Sequence, residues 1–274
     1  MAEVCFIGAG AMATALGGGM LRAGVVSSIA ACDPNPKARE RFAAAIGEGC
    51  VTHASPSDAL LRESRVVVLA VKPQVMPIVL RQLKGRVPAK GALVVSIAAG
   101  VKLQALQEQL GQGTRVVRVM PNTPALVGEM AGGFALGQHA NEQDAECVKS
   151  MFGAIGVVEQ VPEKLMDAVT GLAGSGPAFV FRFITALSDA GVHEGLPRPV
   201  ATRLAAQTVL GAALMVKQGG HPGVLCDQVT SPGGTTIAGV RALNDNAFAR
   251  ATMAAVIAAS RRSAELGRPS KSSL

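Results

Sequence analysis

The segment 227–236, "DQVTSPGGTT", places four hydroxyl side chains around two glycines: Thr230, Ser231, Thr235, Thr236, Gly233 and Gly234. The glycines permit a turn whose backbone N–H groups point at an anion, and the hydroxyls add uncharged hydrogen-bond donors. Such a loop suits a carboxylate and one further hydrogen-bonding atom of a small substrate. The alternative is a helix cap, because Thr235 or Thr236 would cap a helix that follows. A cap leaves three hydroxyls unexplained, so we predict a substrate site.

A glycine pattern near the N-terminus suits a nucleotide. A short apolar run, Val4 to Ile7, predicts a buried strand and leads into Gly8, Gly10 and Ala13 at the start of a helix. In this spacing the first Gly allows a tight turn, the second lets the backbone approach a pyrophosphate, and the Ala keeps helix and strand close. Free N–H groups of the helix then face the phosphates. We predict dinucleotide binding, with a glycine-rich packing turn as the alternative.

Further strand-like segments recur at the spacing of an α/β domain: Ile29 to Cys32, Arg65 to Ala70, Leu93 to Ile97 and Val116 to Met120. Helical stretches separate them, which predicts a parallel, doubly wound, Rossmann-like sheet. Ligands of such sheets lie across the carboxyl ends of the strands. The turns at 70–73, 97–100 and 120–125 are therefore candidates for cofactor contact, with simple strand termination as the alternative.

Asp33 ends the second predicted strand, about two dozen residues beyond the glycines, where a carboxylate accepts hydrogen bonds from the adenosine ribose. This position favours NAD, because the same charge would repel the 2′-phosphate of NADP. Lys37, Arg39 and Arg41 follow closely and would compensate for that repulsion. Asp33 would alternatively cap the helix after Pro34. Both cofactors therefore stay open.

The second half of the chain has a helical pattern. Past Pro162 the strand pattern stops, so we place a dinucleotide-binding domain at 1–161 and an all-α dimerisation and substrate-binding domain at 162–274. One predicted helix is apolar around much of its circumference between 201 and 216. Such a helix is buried on more than one side, which indicates a subunit interface. A well-covered core within one chain is the alternative.

Composition argues against several classes of partner. The five scattered cysteines lack a Cys-x-x-Cys pair and predict reduced core residues, and the four histidines lack ligand spacing, so we expect no metal. The net charge of +7 comes without Trp, Tyr or a basic block, which argues against nucleic acid. The apolar runs at 66–71 and 93–99 are too short to cross a bilayer, and the chain starts directly with a strand-like run. We expect a cytoplasmic protein without membrane contact.

Seven motifs occur in order along the chain, and the last two share residues 229–234: "FIGAGAMA", "LAVKPQ", "VSIAAGV", "RVMPNTPA", "AVTGLAGSGPAF", "HPGVLCDQVTSPGG" and "VTSPGGTTIAG". In this order, from about Val4 to about Leu266, they resemble the pyrroline-5-carboxylate reductase family, and the last is similar to its signature. The resemblance implies hydride transfer from NADPH or NADH to the C5=N carbon of 1-pyrroline-5-carboxylate, which gives L-proline. It also implies a tight dimer, usually built into a larger ring, with the signature loop near the interface.

The resemblance implies roles for individual residues as well. The backbone of Ser231, Gly234 and Thr235 would hold the substrate carboxylate, and Thr236, the catalytic residue, would bond the ring nitrogen. The cofactor would contact Gly8, Gly10, Ala11 and Met12 at the pyrophosphate, and Ala70, Val71, Lys72, Pro73, Ala98 and Ala99 along the rest. Many relatives carry a neutral or basic residue in place of Asp33, so their NADPH preference does not transfer to this chain.

Other oxidoreductase classes fit less well. A 3-hydroxyacid dehydrogenase shares the two-domain plan, but its Gly-x-Gly-x-x-x-Lys pattern needs a Lys where this chain has Val180. A short-chain dehydrogenase needs a Tyr, which the chain lacks. A 2-hydroxyacid dehydrogenase needs a His–carboxylate pair, and His193 and Glu194 are adjacent residues, which are not expected to meet on a helix. A non-catalytic nicotinamide sensor, from another class, would bind cofactor without consuming it.

Overall fold

Eight strands pair into one sheet in the computed structural model, which describes residues 2–87 and 91–267. The strands are β1 (Val4–Ile7), β2 (Ile29–Cys32), β3 (Cys50–His53), β4 (Val66–Leu69), β5 (Leu93–Ser96), β6 (Val116–Met120), β7 (Met130–Leu136) and β8 (Gly156–Gln160). Their spatial order is β3-β2-β1-β4-β5-β6-β7-β8, and neighbours are parallel except β6 and β7. The predicted doubly wound sheet is confirmed, and β3, β7 and β8 have no counterpart among the predicted strands.

The described residues also form twelve helices: α1 (Ala11–Arg22), α2 (Pro36–Ile46), α3 (Asp58–Glu63), α4 (Met76–Leu83), α5 (Leu103–Leu110), α6 (Glu142–Gly153), α7 (Met166–Val169), α8 (Gly176–His193), α9 (Arg198–Lys217), α10 (Pro222–Val229), α11 (Thr235–Asp245) and α12 (Phe248–Leu266). Short 3₁₀ turns occupy Thr123–Val127 and Glu163–Leu165, and a π-helical turn, Thr170–Gly174, leads into α8. The strands end before the helical second half, as predicted.

Side-chain caps mark the beginning of α2, α3 and α6. The Asn35 side chain accepts a hydrogen bond from a first-turn N–H of α2 at 3.0 Å, and Ser57 caps α3 in the same way at 3.1 Å. Asn141 and Asp144 bond each other's backbone N–H groups at the start of α6, which forms a capping box. The alternative that Asp33 caps α2 is therefore wrong, because Asn35 is the cap.

Helices cover both faces of the sheet, and the alternation of side chains along β1 shows how. Val4 and Phe6 point into a core that also contains residues of α1, α2 and α6, where the Phe6 and Phe42 ring centroids lie 6.2 Å apart. Cys5 and Ile7 point the other way, into a core with residues of α4 and α5. A strand buried on both faces reads as a continuous apolar run, as β1 does.

The described chain falls into two compact units. One comprises 2–87, 91–175 and 258–267, and the other is the all-helical Gly176–Ile257. The functional division predicted between residues 161 and 162 stays a prediction.

α9 is the apolar helix that indicated a subunit interface. Within one chain its buried residues are Ala201 and Ala205, whereas Leu204, Leu210, Leu214, Met215 and Val216 are exposed. The alternative of a well-covered core within one chain is therefore wrong. Among the described residues, α9 is also the helix that is long and apolar enough to cross a membrane.

Candidate active site

Gly8 lies at the point where the strand order reverses. β1 lies between β2 and β4, and Gly8 follows β1 with a φ of +106°. A Cβ atom at Gly8 would lie 2.7 Å from the carbonyl oxygen of Ala70, the residue after β4. Because this separation is too short for a side chain and the φ is one that L residues rarely adopt, the turn requires Gly. In doubly wound sheets the crevice at this point receives the ligand.

The N-terminus of α1 follows the glycine turn and carries free donors. Gly10 is the N-cap, and no described side chain bonds to the cap. The N–H groups of Ala11 and Met12 have no acceptor among the described residues. A Cβ atom at Gly10 would find no heavy atom of the described chain within 4 Å. Free N–H groups, the positive end of the helix and open space beside the backbone fit a dinucleotide pyrophosphate.

Asp33 fastens the glycine turn to the end of β2. One carboxylate oxygen accepts a hydrogen bond from the Ala9 N–H at 3.0 Å, and the other accepts from the Asn35 N–H at 2.9 Å. The Arg39 guanidinium donates to the Asp33 carbonyl oxygen at 2.7 Å, so this Arg is engaged with the main chain. A carboxylate has about four lone-pair positions, which leaves acceptor capacity for ribose hydroxyls.

The turns predicted to contact the cofactor lie at the same edge of the sheet as the glycine turn. Ile7 pairs with Leu69, and Leu69 pairs with Ser96, so β1, β4 and β5 end in register. The predicted cofactor residues follow these ends directly: Ala70, Val71, Lys72, Pro73, Ala98 and Ala99. Ala98 is buried, so it would offer a cofactor its backbone.

In the third strand-end turn, 120–125, Asn122 makes hydrogen bonds that the sequence does not predict. Asn122 is buried; its amide donates to the Ala173 carbonyl oxygen at 3.0 Å, and its oxygen accepts from the Ala131 N–H at 2.9 Å. These bonds tie the turn to β7 and to the π-helical turn. The partners lie 51 and 9 residues away, so no local pattern points to them.

The four hydroxyl groups of the loop between α10 and α11 differ in their hydrogen bonding. The Thr230 hydroxyl donates to the Cys226 carbonyl oxygen at 2.7 Å and so belongs to the end of α10. Gly233 has a φ of +65°, and the Gly234 N–H donates to the Ser231 carbonyl oxygen at 3.1 Å, which closes a tight turn. One of the donors expected for a carboxylate, the Gly234 N–H, is therefore already engaged within the loop.

The first turn of α11 carries free donors. Gly234 is the N-cap, so the alternative that Thr235 or Thr236 caps this helix is wrong. Within the described chain, the hydroxyls and the N–H groups of both threonines have no hydrogen-bond partner. Two free hydroxyls therefore stand beside free N–H groups at the positive end of a helix dipole, where an anion is stabilised.

Two of the thiols are held in their protonated form. A hydrogen bond with Cys32 on the neighbouring strand, together with burial, raises the pKa of the Cys5 thiol far above its ordinary value. Burial raises the pKa of Cys50 as well. Neither thiol is therefore a nucleophile at neutral pH. Cys226 is exposed on α10, so the expectation of a core residue is wrong there.

In the part of the chain that the structure describes, no three His, Cys, Asp or Glu side chains gather as metal ligands would. The expectation of a site without a metal stays a prediction.

His193 and Glu194 meet at the end of α8. His193 Nδ1 lies 3.1 Å from Glu194 Oε1, so the expectation that these neighbours do not face each other is wrong. Glu194 lies just beyond the last helical residue, where helical geometry no longer separates adjacent side chains. The two side chains are 85% and 81% exposed, so the pair lies in water and outside any enclosed site.

Comparison with known proteins places the whole chain in one family. Residues 163–266 match the family model described as pyrroline-5-carboxylate reductase dimerisation, and residues 3–100 match the model described as NADP oxidoreductase coenzyme F420-dependent. A pyrroline-5-carboxylate reductase of Arabidopsis thaliana is 50% identical over 268 residues, which cover 96% of this chain and 95% of that protein. The chain belongs to the pyrroline-5-carboxylate reductase family.

Solved structures of this family share the fold along the chain. A pyrroline-5-carboxylate reductase of Coxiella burnetii is 32% identical with a TM-score of 0.91, and the match covers 98% of this chain and 99% of that one. One of Plasmodium falciparum, with NADP bound, is 33% identical with a TM-score of 0.84, over 97% of this chain and 98% of that one. The Rossmann-like sheet followed by a helical region is thereby confirmed.

Gly8→Ala and Gly10→Ala should separate folding from cofactor binding. Gly8→Ala brings a methyl group against the Ala70 carbonyl at a disfavoured φ, so the free energy of unfolding should fall by about 2–5 kcal/mol. Gly10 has a φ of −78° and open space, so Gly10→Ala should cost about 1 kcal/mol or less. Its methyl group should nevertheless weaken NADPH and NADH binding about tenfold or more by entering the predicted pyrophosphate site.

Urea unfolding and calorimetric titration measure these two quantities. Normal cofactor binding by Gly10→Ala would contradict the assignment of the glycine turn.

Proposed function

We propose that the chain reduces 1-pyrroline-5-carboxylate to L-proline, with hydride transfer from NADPH or NADH to the C=N carbon. The observation that carries this proposal is the first turn of α11, where free N–H groups and hydroxyls stand within "VTSPGGTTIAG". The relative at 50% identity that bears the name pyrroline-5-carboxylate reductase supports the same assignment.

The loop before α11 is the proposed substrate site. Backbone N–H groups of Ser231, Gly234 and Thr235 hold the carboxylate, and Gly233 supplies the positive φ that the turn needs. The Gly234 N–H shares its donor between the substrate and the Ser231 carbonyl oxygen. The positive end of α11 attracts the carboxylate. The Thr236 hydroxyl bonds the ring nitrogen and so fixes which face of the C=N carbon receives the hydride.

The glycine turn and the neighbouring strand ends are the proposed cofactor site. A nicotinamide dinucleotide, when bound, supplies the hydride. The pyrophosphate is held by the backbone of Gly8, Gly10, Ala11 and Met12. The turns at 70–73 and 97–100 contact the rest of the cofactor, and Asp33 bonds the adenosine ribose.

The chain needs few proton-transfer groups for this reaction. A cyclic imine takes up a proton readily in water, and the iminium accepts hydride without an enzymic acid. Catalysis then depends on positioning and on preorganised dipoles, and proximity alone supplies up to about 7–11 kcal/mol in ideal cases. This accounts for a substrate loop, 230–236, that contains no His, Asp, Glu or Lys.

The helical region is the proposed contact between copies of the chain. It matches the dimerisation model of the family at 163–266, and α9 exposes large apolar side chains there. Their burial against a second copy would contribute about 25 cal/mol per Å² of apolar surface. We therefore assign the apolar face of α9 to a dimer, which we propose is built into a larger ring. We also propose a cytoplasmic location, as expected from the sequence.

Thr236→Ala should lower kcat by roughly ten- to a hundredfold. It removes a hydrogen bond to a charged ring nitrogen, and such bonds contribute about 1.5–3 kcal/mol. The dissociation constant of NADPH should stay within about twofold, because the proposed contact involves the reacting ring and not the cofactor. Thr235→Ala is the matched comparison, since it removes the adjacent hydroxyl but keeps the backbone N–H assigned to the carboxylate, and its kcat should fall less than that of Thr236→Ala.

Steady-state kinetics and cofactor titration measure these effects. Weakened cofactor binding by Thr236→Ala with turnover spared would show that the loop belongs to the cofactor site.

Asp33→Ser should shift cofactor preference toward NADPH, with a change of about tenfold in the ratio of kcat/KM for the two cofactors. The substitution removes both the ribose acceptor and the charge that repels a 2′-phosphate. Lys37→Ala is the opposing control, because losing this cation should lower kcat/KM for NADPH and spare NADH. The ratio is the quantity to compare, since Asp33 also bonds the Ala9 N–H. An unchanged ratio of kcat/KM would show that Asp33 holds the glycine turn in place and does not select the cofactor.

A further inference from the structure

A half-buried carboxylate outside the predicted site holds the turn after β5. Glu163 Oε1 accepts a hydrogen bond at 2.6 Å from the backbone N–H of Leu103, the first residue of α5. The N-cap of α5, Lys102, makes no side-chain capping bond within the described chain. Glu163 therefore caps α5 from 60 residues along the chain, and its charge is favourable at the positive end of the helix.

Arg118 on β6 orients this carboxylate. Its Nη1 lies 3.5 Å from the same oxygen of Glu163, and its side chain is 4% exposed. Its Nη2 has no hydrogen-bond partner among the described residues. A buried guanidinium with so few partners needs the negative charge of Glu163, because an uncompensated buried charge is strongly destabilising. The ion pair therefore keeps Glu163 in place against α5.

The C-terminal end of α12 packs against Gly100, in the middle of the same turn. A Cβ atom at Gly267 would lie 2.9 Å from the carbonyl oxygen of Gly100. Ser263, one helical turn earlier, is buried and donates to Asp167 Oδ1 at 2.7 Å. The segment 97–102, between β5 and α5, thus packs against Gly267 at Gly100 and is followed directly by the Leu103 N–H that bonds Glu163.

The segment 97–102 follows β5. In the sheet, β5 and β2 lie on opposite sides of β1, and Asp33 lies at the end of β2. The order β2-β1-β4-β5 puts Asp33, at the end of β2, on one side of the glycine turn and the segment 97–102 on the other. A dinucleotide with its adenosine ribose at Asp33 and its pyrophosphate at β1 reaches β5 with its nicotinamide half.

We propose that Glu163 is a positioning residue for the nicotinamide half of the cofactor. Through the Leu103 N–H it holds the segment 97–102, and with it Ala98 and Ala99, in the conformation that receives the nicotinamide ring. The inference rests on the proposed function in one respect, namely that Ala98 and Ala99 contact the cofactor.

The test compares the whole cofactor with ADP-ribose, a fragment without nicotinamide. Glu163→Ala should weaken NADPH and NADH binding about tenfold, while ADP-ribose binding stays within about twofold because the fragment does not reach the segment. Glu163→Gln keeps an oxygen acceptor for the Leu103 N–H and should restore most of the affinity. Glu159→Ala is the matched control, because it removes an exposed carboxylate on β8 and should change neither value.

A double variant separates binding from stability. Glu163→Ala leaves the Arg118 charge buried and unpaired, so Glu163→Ala combined with Arg118→Met should regain thermal stability yet keep the defect in dinucleotide binding. Equal losses for NADPH and ADP-ribose, no loss in Glu163→Ala, or recovery of dinucleotide binding together with stability would overturn the proposal. If the proposed reductase activity were wrong, the wild type would show no turnover, whereas its affinities for NADPH and ADP-ribose could still be measured and compared.

Discussion

The rest of the structure depends on the close approach of Gly8 to the Ala70 carbonyl. This contact lets β1 and β4 end side by side where the strand order reverses, and it leaves bare backbone beside the crevice. α1 starts three residues after Gly8, and the Ala9 N–H between them is bonded to Asp33. A larger residue at Gly8 would push β1 from β4 and so displace the helix N-terminus, the Asp33 contact and the turn after β4 together.

The two proposed binding sites use the same physical device. Gly10 and Gly234 are both helix N-caps with extended backbones, at ψ of 175° and 178°, and no described side chain caps either helix. Each helix therefore presents free N–H groups at the positive end of its dipole, where an anion is stabilised without a cationic side chain. The proposed ligands are anions at both places, the pyrophosphate at α1 and the substrate carboxylate at α11. In the proposed substrate site, the hydroxyl of Thr236 adds a hydrogen bond to the nitrogen of the reacting ring.

The sequence made local features predictable and left the long-range contacts hidden. β1, β2 and β4 to β6 are mainly continuous apolar runs, whereas the edge strand β3 alternates in exposure, β7 contains Gly132 and Gly133, and β8 is half exposed. The glycine turn is predictable because the residues of its pattern lie close together in the sequence. Asn122 and Glu163 act through partners 51 and 60 residues away, so the sequence carries no pattern for them. The hydroxyl loop was predicted as a site, although the capping residue of α11 proved to be a Gly.

The central claim is that the chain transfers hydride to a cyclic imine held at α11. The most direct measurement follows the oxidation of NADPH and, separately, of NADH by the purified protein supplied with 1-pyrroline-5-carboxylate. The account predicts rapid consumption of at least one cofactor, with L-proline formed in equal amount. Tight cofactor binding without consumption of either would contradict it and would favour a nicotinamide sensor instead.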